Sequence, residues 1–290
     1  YDDIFVAKIS NTWQRLWAQK AGGTSYDRWY AISTDSEGNS YIIWTFRTTA
    51  RFWNHTIVSS WYDDIFVAKI SNTWQRLWAI KAGWSAFDKW SNIKLDSEGN
   101  SYIVWNFDWT ANFWNHTIVS SWSTDVFVAK ISNTWQRLWA QKAGWTSTEF
   151  WNNIGLDSEG NSYIVWDFQW TANFWNHTII SSWLRDVFIA KISNTWQRLW
   201  AIKAGWTSDD LLKAISTDSE GSSYIAWYFW WTANFWNTTL VCSWGFDTFV
   251  AKISNTWQRL RIIKAGWVEI IDSRSISIDF EKSSYVIWNF

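Results

Sequence analysis

One run of residues, F-[VI]-A-K-I-S-N-T-W-Q-R-L, returns five times, beginning at Phe5, Phe66, Phe127, Phe188 and Phe249, each 61 residues after the last. A fixed period of this length is the signature of a repeat architecture, in which one unit cannot bury its apolar face alone and needs its neighbours. The 290 residues hold four full periods and a shorter fifth. That arithmetic constrains the fold far more than it constrains the function.

Within a unit, short runs of β-branched and aromatic residues alternate with turn signals, and no stretch keeps a 3.6-residue apolar period. The first copy predicts strands from Ile4 to Ser10, Arg15 to Ala21, Tyr30 to Thr34 and Tyr41 to Phe46, with a shorter one around Arg51 to Val58. Asp35-Ser36-Glu37-Gly38-Asn39 reads as a hairpin turn in which Gly38 takes positive φ after a type I turn. Ser10-Asn11-Thr12 turns the first strand into the second.

The strands are apolar on both faces. Phe5, Ala7 and Ile9 oppose Ile4 and Val6, and Tyr41 and Ile43 oppose Ile42, Trp44 and Phe46. Sheets wet on one side would alternate with polar residues, whereas small sheets stacked face to face bury both sides. The expected fold is therefore all-β: a five-bladed β-propeller of four-stranded antiparallel blades, forming a single domain over residues 1–290. One blade would be shared between residues 1–21 and 270–290, closing the ring by pairing N- and C-terminal strands and leaving no free sheet edge.

Composition narrows the function classes. Hydrophobic residues make up 48%, but no apolar run is long enough for a membrane helix. With 25 basic and 26 acidic residues spread evenly, the net charge of -1 offers no electrostatic footprint for nucleic acid. The single cysteine, Cys242, stands at a serine position of the repeat and has no partner for an internal disulfide. No charged segment leads into an apolar stretch at Tyr1, so a targeting segment is expected to have been removed or never included.

Candidate chemistry is sparse. His55, His116 and His177 share one repeat position, which spreads them apart instead of clustering them as metal ligands or a catalytic dyad. No nucleophilic triad, phosphate-binding loop or paired-cysteine motif is present, so no catalytic residue, cofactor or enzyme activity is expected. Asp35, Asp96, Asp157, Asp218 and Asp279 recur in every unit and could ring a cation, although capping of their own hairpins is the simpler role. Asp3, Asp64, Asp125, Asp186 and Asp247 carry the same two readings. Asn54, Asn115, Asn176 and Asn237 each open an N-x-[ST] triplet, which makes them glycosylation candidates on a secretory route.

Asp3-Ile4-Phe5-Val6-Ala7-Lys8, Leu16-Trp17-Ala18, Ala21-Gly22-Gly23, Ala31-Ile32-Ser33-Thr34-Asp35-Ser36-Glu37-Gly38-Asn39 and Tyr41-Ile42-Ile43-Trp44-Thr45-Phe46 together resemble the SBBP family of β-propeller repeats. The resemblance covers the whole chain. It implies a propeller of secreted or surface proteins and no particular reaction.

One departure is systematic, because tryptophan stands where that family tends to carry glycine: the series beginning at Trp13, Trp29, Trp44, Trp53, Trp61 and Trp109, and Trp84, Trp145, Trp206 and Trp267 opposite Gly23. A left-handed backbone costs a non-glycine residue roughly 1–2 kcal/mol, so most of these positions cannot be left-handed in a domain of ordinary stability. Either they lie in the β region with indoles packed as ladders, or the natural polypeptide carries glycine there.

The expected function is a non-catalytic structural or interaction propeller at an extracellular, cell or particle surface, contacting a protein or glycan surface without nucleic acid or membrane insertion. The alternative is a lectin-like propeller with one weak carbohydrate site per blade, in which exposed indoles stack on sugar faces. A quinone-dependent dehydrogenase propeller would need a cofactor cradle and calcium ligands that the sequence does not show.

Overall fold

The computed structural model describes residues 3–52, 55–82, 89–113, 116–143, 150–174, 177–205, 209–235, 238–265, 272–279 and 281–289. All regular structure among them is β-strand. The first hairpin pairs β1 (Ile4–Ile9) with β2 (Arg15–Gly23). The first complete unit follows as β3 (Asp27–Thr34), β4 (Ser40–Phe52), β5 (His55–Ile70) and β6 (Arg76–Ala82).

The next three units repeat it: β7 (Lys89–Leu95), β8 (Ser101–Phe113), β9 (His116–Ile131) and β10 (Arg137–Ala143); β11 (Phe150–Leu156), β12 (Ser162–Phe174), β13 (His177–Ile192) and β14 (Arg198–Ala204); β15 (Asp210–Thr217), β16 (Ser223–Phe235), β17 (Thr238–Ile253) and β18 (Arg259–Ala265). A last hairpin pairs β19 (Asp272–Ile278) with β20 (Ser284–Asn289). Each unit is a four-stranded antiparallel meander. In the first unit, Gly22 and Gly23 of β2 also pair with Arg51 and Ala50 of β4, which joins the β1–β2 hairpin to that sheet.

The faces between successive four-stranded units are buried, as the two-sided apolar strands predict. One core joins Tyr41, Ile43, Ile65 and Val67 of the first unit to Trp105, Phe107 and Phe127 of the second. The next joins Tyr102, Val104 and Val126 to Trp166, Phe168 and Phe188, and a third joins Tyr163, Val165 and Val187 to Trp227 and Phe249. The flanking hairpins enter the same stack: Ile4 and Ala21 pack with Trp44 and Phe66, and Ile276 packs with Tyr224 and Ala226.

Two expectations change. Tyr41 to Phe46 and the short strand around Arg51 to Val58 are not separate elements, because β4 runs on to Phe52 and returns at His55 as β5, which continues through Ile70. The stretch after Phe46 is thus a protruding hairpin, with Phe52 opposite His55 and Ala50 opposite Ile57. A bulge between Arg47 and Thr49 sets it off, and Ala50 and Phe52 bury one of its faces.

The tryptophan series also divide. Trp44, Trp105, Trp166 and Trp227 lie in strands at the centre of the cores, each against a phenylalanine of the next strand (Trp105 to Phe127, 4.1 Å between ring centroids). The Trp13 and Trp109 series do not lie in the β region: Trp13, Trp74, Trp135, Trp196 and Trp257 have φ of 61–71°, and Trp109, Trp170 and Trp231 have 63–70°. Trp53, Trp114, Trp175 and Trp236, and likewise Trp84, Trp145, Trp206 and Trp267, lie outside the described residues, whereas Gly23, at the position of Trp84, ends β2. The four-stranded units are established, whereas β1 and β20 belong to different sheets and do not pair.

Candidate functional site

Three features recur from unit to unit and could carry function: the Asp-Ser-Glu-Gly-Asn turns, the buried carboxylates between sheets, and the exposed indoles.

In each turn the aspartate is fully engaged. Asp35 Oδ1 accepts the Glu37 and Asn39 backbone N–H groups at 3.1 and 2.8 Å, and Oδ2 accepts Asn39 Nδ2 at 2.9 Å and pairs with Lys69 Nζ at 3.2 Å. Burial raises the Asp35 pKa, but the two Asn39 bonds and Lys69 outweigh it and hold the carboxyl below its ordinary value. Asp96 and Asp157 repeat the arrangement with Lys130 and Lys191, and Asp218, whose turn ends in Ser222, keeps the two backbone bonds and pairs with Lys252. Asp279 caps its turn through the Ser283 N–H and accepts the Tyr285 hydroxyl at 3.0 Å.

Neighbouring turns are tied together, since Tyr41 donates to the Gly99 carbonyl at 3.0 Å and Tyr102 to the Gly160 carbonyl at 2.7 Å. Burial pushes the Tyr102 phenol well above its ordinary pKa, which keeps it a donor. Asp35, Asp96, Asp157 and Asp218 are structural caps with a lysine counter-ion. Among the described residues, no group of three or more His, Cys, Asp or Glu side chains is placed to hold a metal ion.

The second aspartate series lies between sheets. Asp64, Asp125 and Asp186 are completely buried, and each accepts a backbone N–H four residues back and pairs with a lysine at 3.0–3.2 Å. Burial raises all three pKa values in spite of the lysines. A further acidic position recurs in the sequence without a local motif: Asp27, Asp88, Glu149 and Asp210 share one place in the repeat. Asp27 accepts the Gly23 N–H at 2.8 Å, and its carboxylate and that of Asp3 close on Gly22 from two sides. A Cβ has no room there, and Gly22 sits at φ 141°, so glycine is required. Burial, opposed by the Gly23 bond and reinforced by Asp3, pushes the Asp27 pKa up to about 6.

The third feature faces solvent. Trp109, Trp170 and Trp231 are 74%, 61% and 66% exposed, each at the bulge where the protruding hairpin leaves its sheet. Their backbone N–H groups are held by Ser120 Oγ, Ser181 Oγ and Cys242 Sγ respectively, which gives the lone cysteine a hydrogen-bonding role. Exposed Val119, Ile180 and Val241 stand one strand away, opposite Thr110, Thr171 and Thr232. The first unit keeps the left-handed residue as Thr48 and the aliphatic as Val58.

His55 is exposed at the start of β5, and His116 and His177 open β9 and β13, so the histidines stay one to a unit. Asn54, Asn115, Asn176 and Asn237 lie outside the described residues. No helix in the described residues is long and apolar enough to cross a membrane.

No family model matches the chain. No curated protein matches it either. Among solved structures it is similar to a protein of unknown function from Bacteroides caccae, at 7% identity over 91% of this chain and 94% of that one, with a TM-score of 0.40, a likeness that carries no argument.

Proposed function

We propose that this chain is a non-catalytic interaction propeller of the SBBP type, in which β19, β20, β1 and β2 together make a fifth blade and contacts come from equivalent surface sites on the second, third and fourth units. An extracellular, cell-surface or particle-surface setting follows from the family resemblance. The observation that supports this reading best is the repetition of Trp109 with Val119, Trp170 with Ile180 and Trp231 with Val241 on the outside. The turn carboxylates and the buried tyrosines, by contrast, are committed to structural bonds. A tryptophan held both exposed and left-handed costs conformational energy, and such outliers mark contact sites more often than packing sites. Several weak, identical contacts on one rigid body add through effective concentration.

A second reading, carbohydrate binding, is favoured by the same indoles, because a flat exposed ring stacks on the apolar face of a pyranose and three equivalent sites on successive units suit a repeating glycan. A glycan array and an immobilised protein panel, each probed with the wild type, with Trp170→Ala and with the triple variant that also carries Trp109→Ala and Trp231→Ala, test both. We expect the single change to weaken binding and the triple change to abolish it. Glycan spots lost in the triple variant support the lectin form; protein spots so lost support the scaffold form. A triple variant that binds like wild type on every surface removes the indoles as the contact.

A further inference from the structure

One contact recurs wherever two units meet. A tryptophan on the last strand of one unit meets the left-handed tryptophan in the turn of the next: Trp17 and Trp74, Trp78 and Trp135, Trp139 and Trp196, Trp200 and Trp257, with ring centroids 3.8–4.4 Å apart. Carried one step further, the repeat pairs residue 261 of β18 with Trp13 of the β1–β2 turn. Residue 261 is arginine, the one departure from tryptophan in that series, and it is exposed. Trp13 is 87% exposed, whereas its equivalents are half-buried.

The surfaces beside this pair are uncovered in a matching way. Phe5 is 70% exposed although Phe66, Phe127, Phe188 and Phe249 are fully buried, each by a tryptophan of the strand alongside. Beside it runs a groove lined by Ile4, Phe5, Val6, Trp29, Ile32 and Trp44. On β20, Tyr285 is 62% exposed although Tyr41, Tyr102 and Tyr163 are fully buried. The β8–β9 register, Tyr102 to Lys130, Val104 to Val128 and Trp105 to Phe127, translates to Tyr285 with Lys8, Ile287 with Val6 and Trp288 with Phe5. Lys8 would then meet Asp279 as Lys130 meets Asp96, and Tyr285 would donate to the Gly38 carbonyl as Tyr41 does to that of Gly99.

We infer that Arg261 and Trp13 form the latch of the propeller: a guanidinium–indole contact, replacing the indole pair of the other four junctions, that seats the β19–β20 hairpin in the groove beside β1. This inference rests on the proposed fifth blade and names the contact that holds it shut. A guanidinium is planar and stacks on an aromatic face as an indole does, and it remains hydrated at its edges. An arginine at this boundary therefore keeps the stacking geometry while tolerating water each time the boundary opens.

Val6→Cys and Ile287→Cys, introduced together with Cys242→Ser, test the seat by disulfide formation under mild oxidation. An intramolecular bond in monomeric protein is expected. Trp13→Ala or Arg261→Ala should slow its formation roughly two- to fivefold, the factor given by a contact of about 0.5–1 kcal/mol. The double variant should be no slower than either single one, and Arg261→Trp should restore the rate. Equal rates in all variants overturn the latch and leave the fifth blade standing. Disulfide-linked dimers or longer chains in place of the internal bond overturn both and assign the groove to a second copy.

Discussion

Two turns in every unit have the same backbone and different residues at the position that decides its cost. In Asp35 to Asn39 the Asp35 N–H donates to the Asn39 carbonyl, the Gly38 N–H donates to the Asp35 carbonyl, and Gly38 sits at φ 77°. In Ser10 to Gln14 the Ser10 N–H donates to the Gln14 carbonyl, the Trp13 N–H donates to the Ser10 carbonyl, and Trp13 sits at φ 61°. Even the side-chain cap is shared, since Ser10 Oγ accepts the Gln14 N–H as Asp35 Oδ1 accepts that of Asn39. Glycine adopts this conformation without steric penalty, whereas tryptophan brings Cβ against the following carbonyl. The second turn is therefore held by its surroundings: by the serine cap, by the two flanking strands, and by the neighbouring indole.

The largest effect that separates the turns comes from their first residues. Asp96 neutralises Lys130, and both are almost completely buried. Asp96→Ala strands that ammonium as well as two backbone donors, so a loss of about 3–5 kcal/mol is expected in urea unfolding. Ser132→Ala in the partner turn removes one neutral cap on an exposed loop and should cost about 0.5–1.5 kcal/mol. Equal losses would show that the lysine is not what makes the glycine turn the stronger one.

Acid should move the two kinds of buried carboxylate in opposite directions. The Asp27 pKa lies at about 6 in the folded chain, above its unfolded value, so the folded state takes up a proton as pH falls through 6 and gains stability until the unfolded carboxyl is protonated as well. Asp35 is depressed, so its contribution is fully present above the ordinary carboxylate range and is lost as pH falls through its folded value. Thermal stability should therefore rise from pH 7 toward pH 5 and fall below about 4. Asp27→Asn should flatten the rise, by on the order of 1–2 kcal/mol, and leave the acid limb in place. A rise of undiminished size in that variant would assign it to the other buried carboxylates, Asp64, Asp125 and Asp186.

What the sequence reveals follows the same division. The glycine turn is readable because Asp35 and Gly38 each have one strong local preference and the geometry satisfies both. The two-sided burial of β1-like and β4-like strands is readable because periodicity survives translation into packing, as Phe66 and Trp44 demonstrate. The protruding hairpin from Thr49 to Val58 is hidden, because Thr48 and Thr49 interrupt the alternation and His55 carries no turn preference. The exposed indoles are hidden for a related reason. A tryptophan in a β-rich sequence signals burial, and only the bulge at Trp109 turns the ring outward. Asp27 could have been found from its recurrence as Asp88, Glu149 and Asp210; no local motif surrounds it.

The smallest effect bears on the tryptophans themselves. Replacing Trp170 by glycine relieves roughly 1–2 kcal/mol of left-handed strain and loses little burial, while the freer unfolded chain takes back about 0.4–1 kcal/mol, so a net gain of about 0.5–1 kcal/mol is expected. Trp135→Gly relieves the same strain but gives up the ring contact with Trp78, worth about 0.5–1.5 kcal/mol, and should come out near zero. Trp166→Gly must lose stability outright, because that ring fills the core against Phe174 and Phe188. If all three changes stabilise, packing is not what retains tryptophan at any of these sites, and glycine is the residue the fold was shaped around. An intact mass of the natural polypeptide checks that outcome directly, since each glycine in place of tryptophan removes a whole indole side chain.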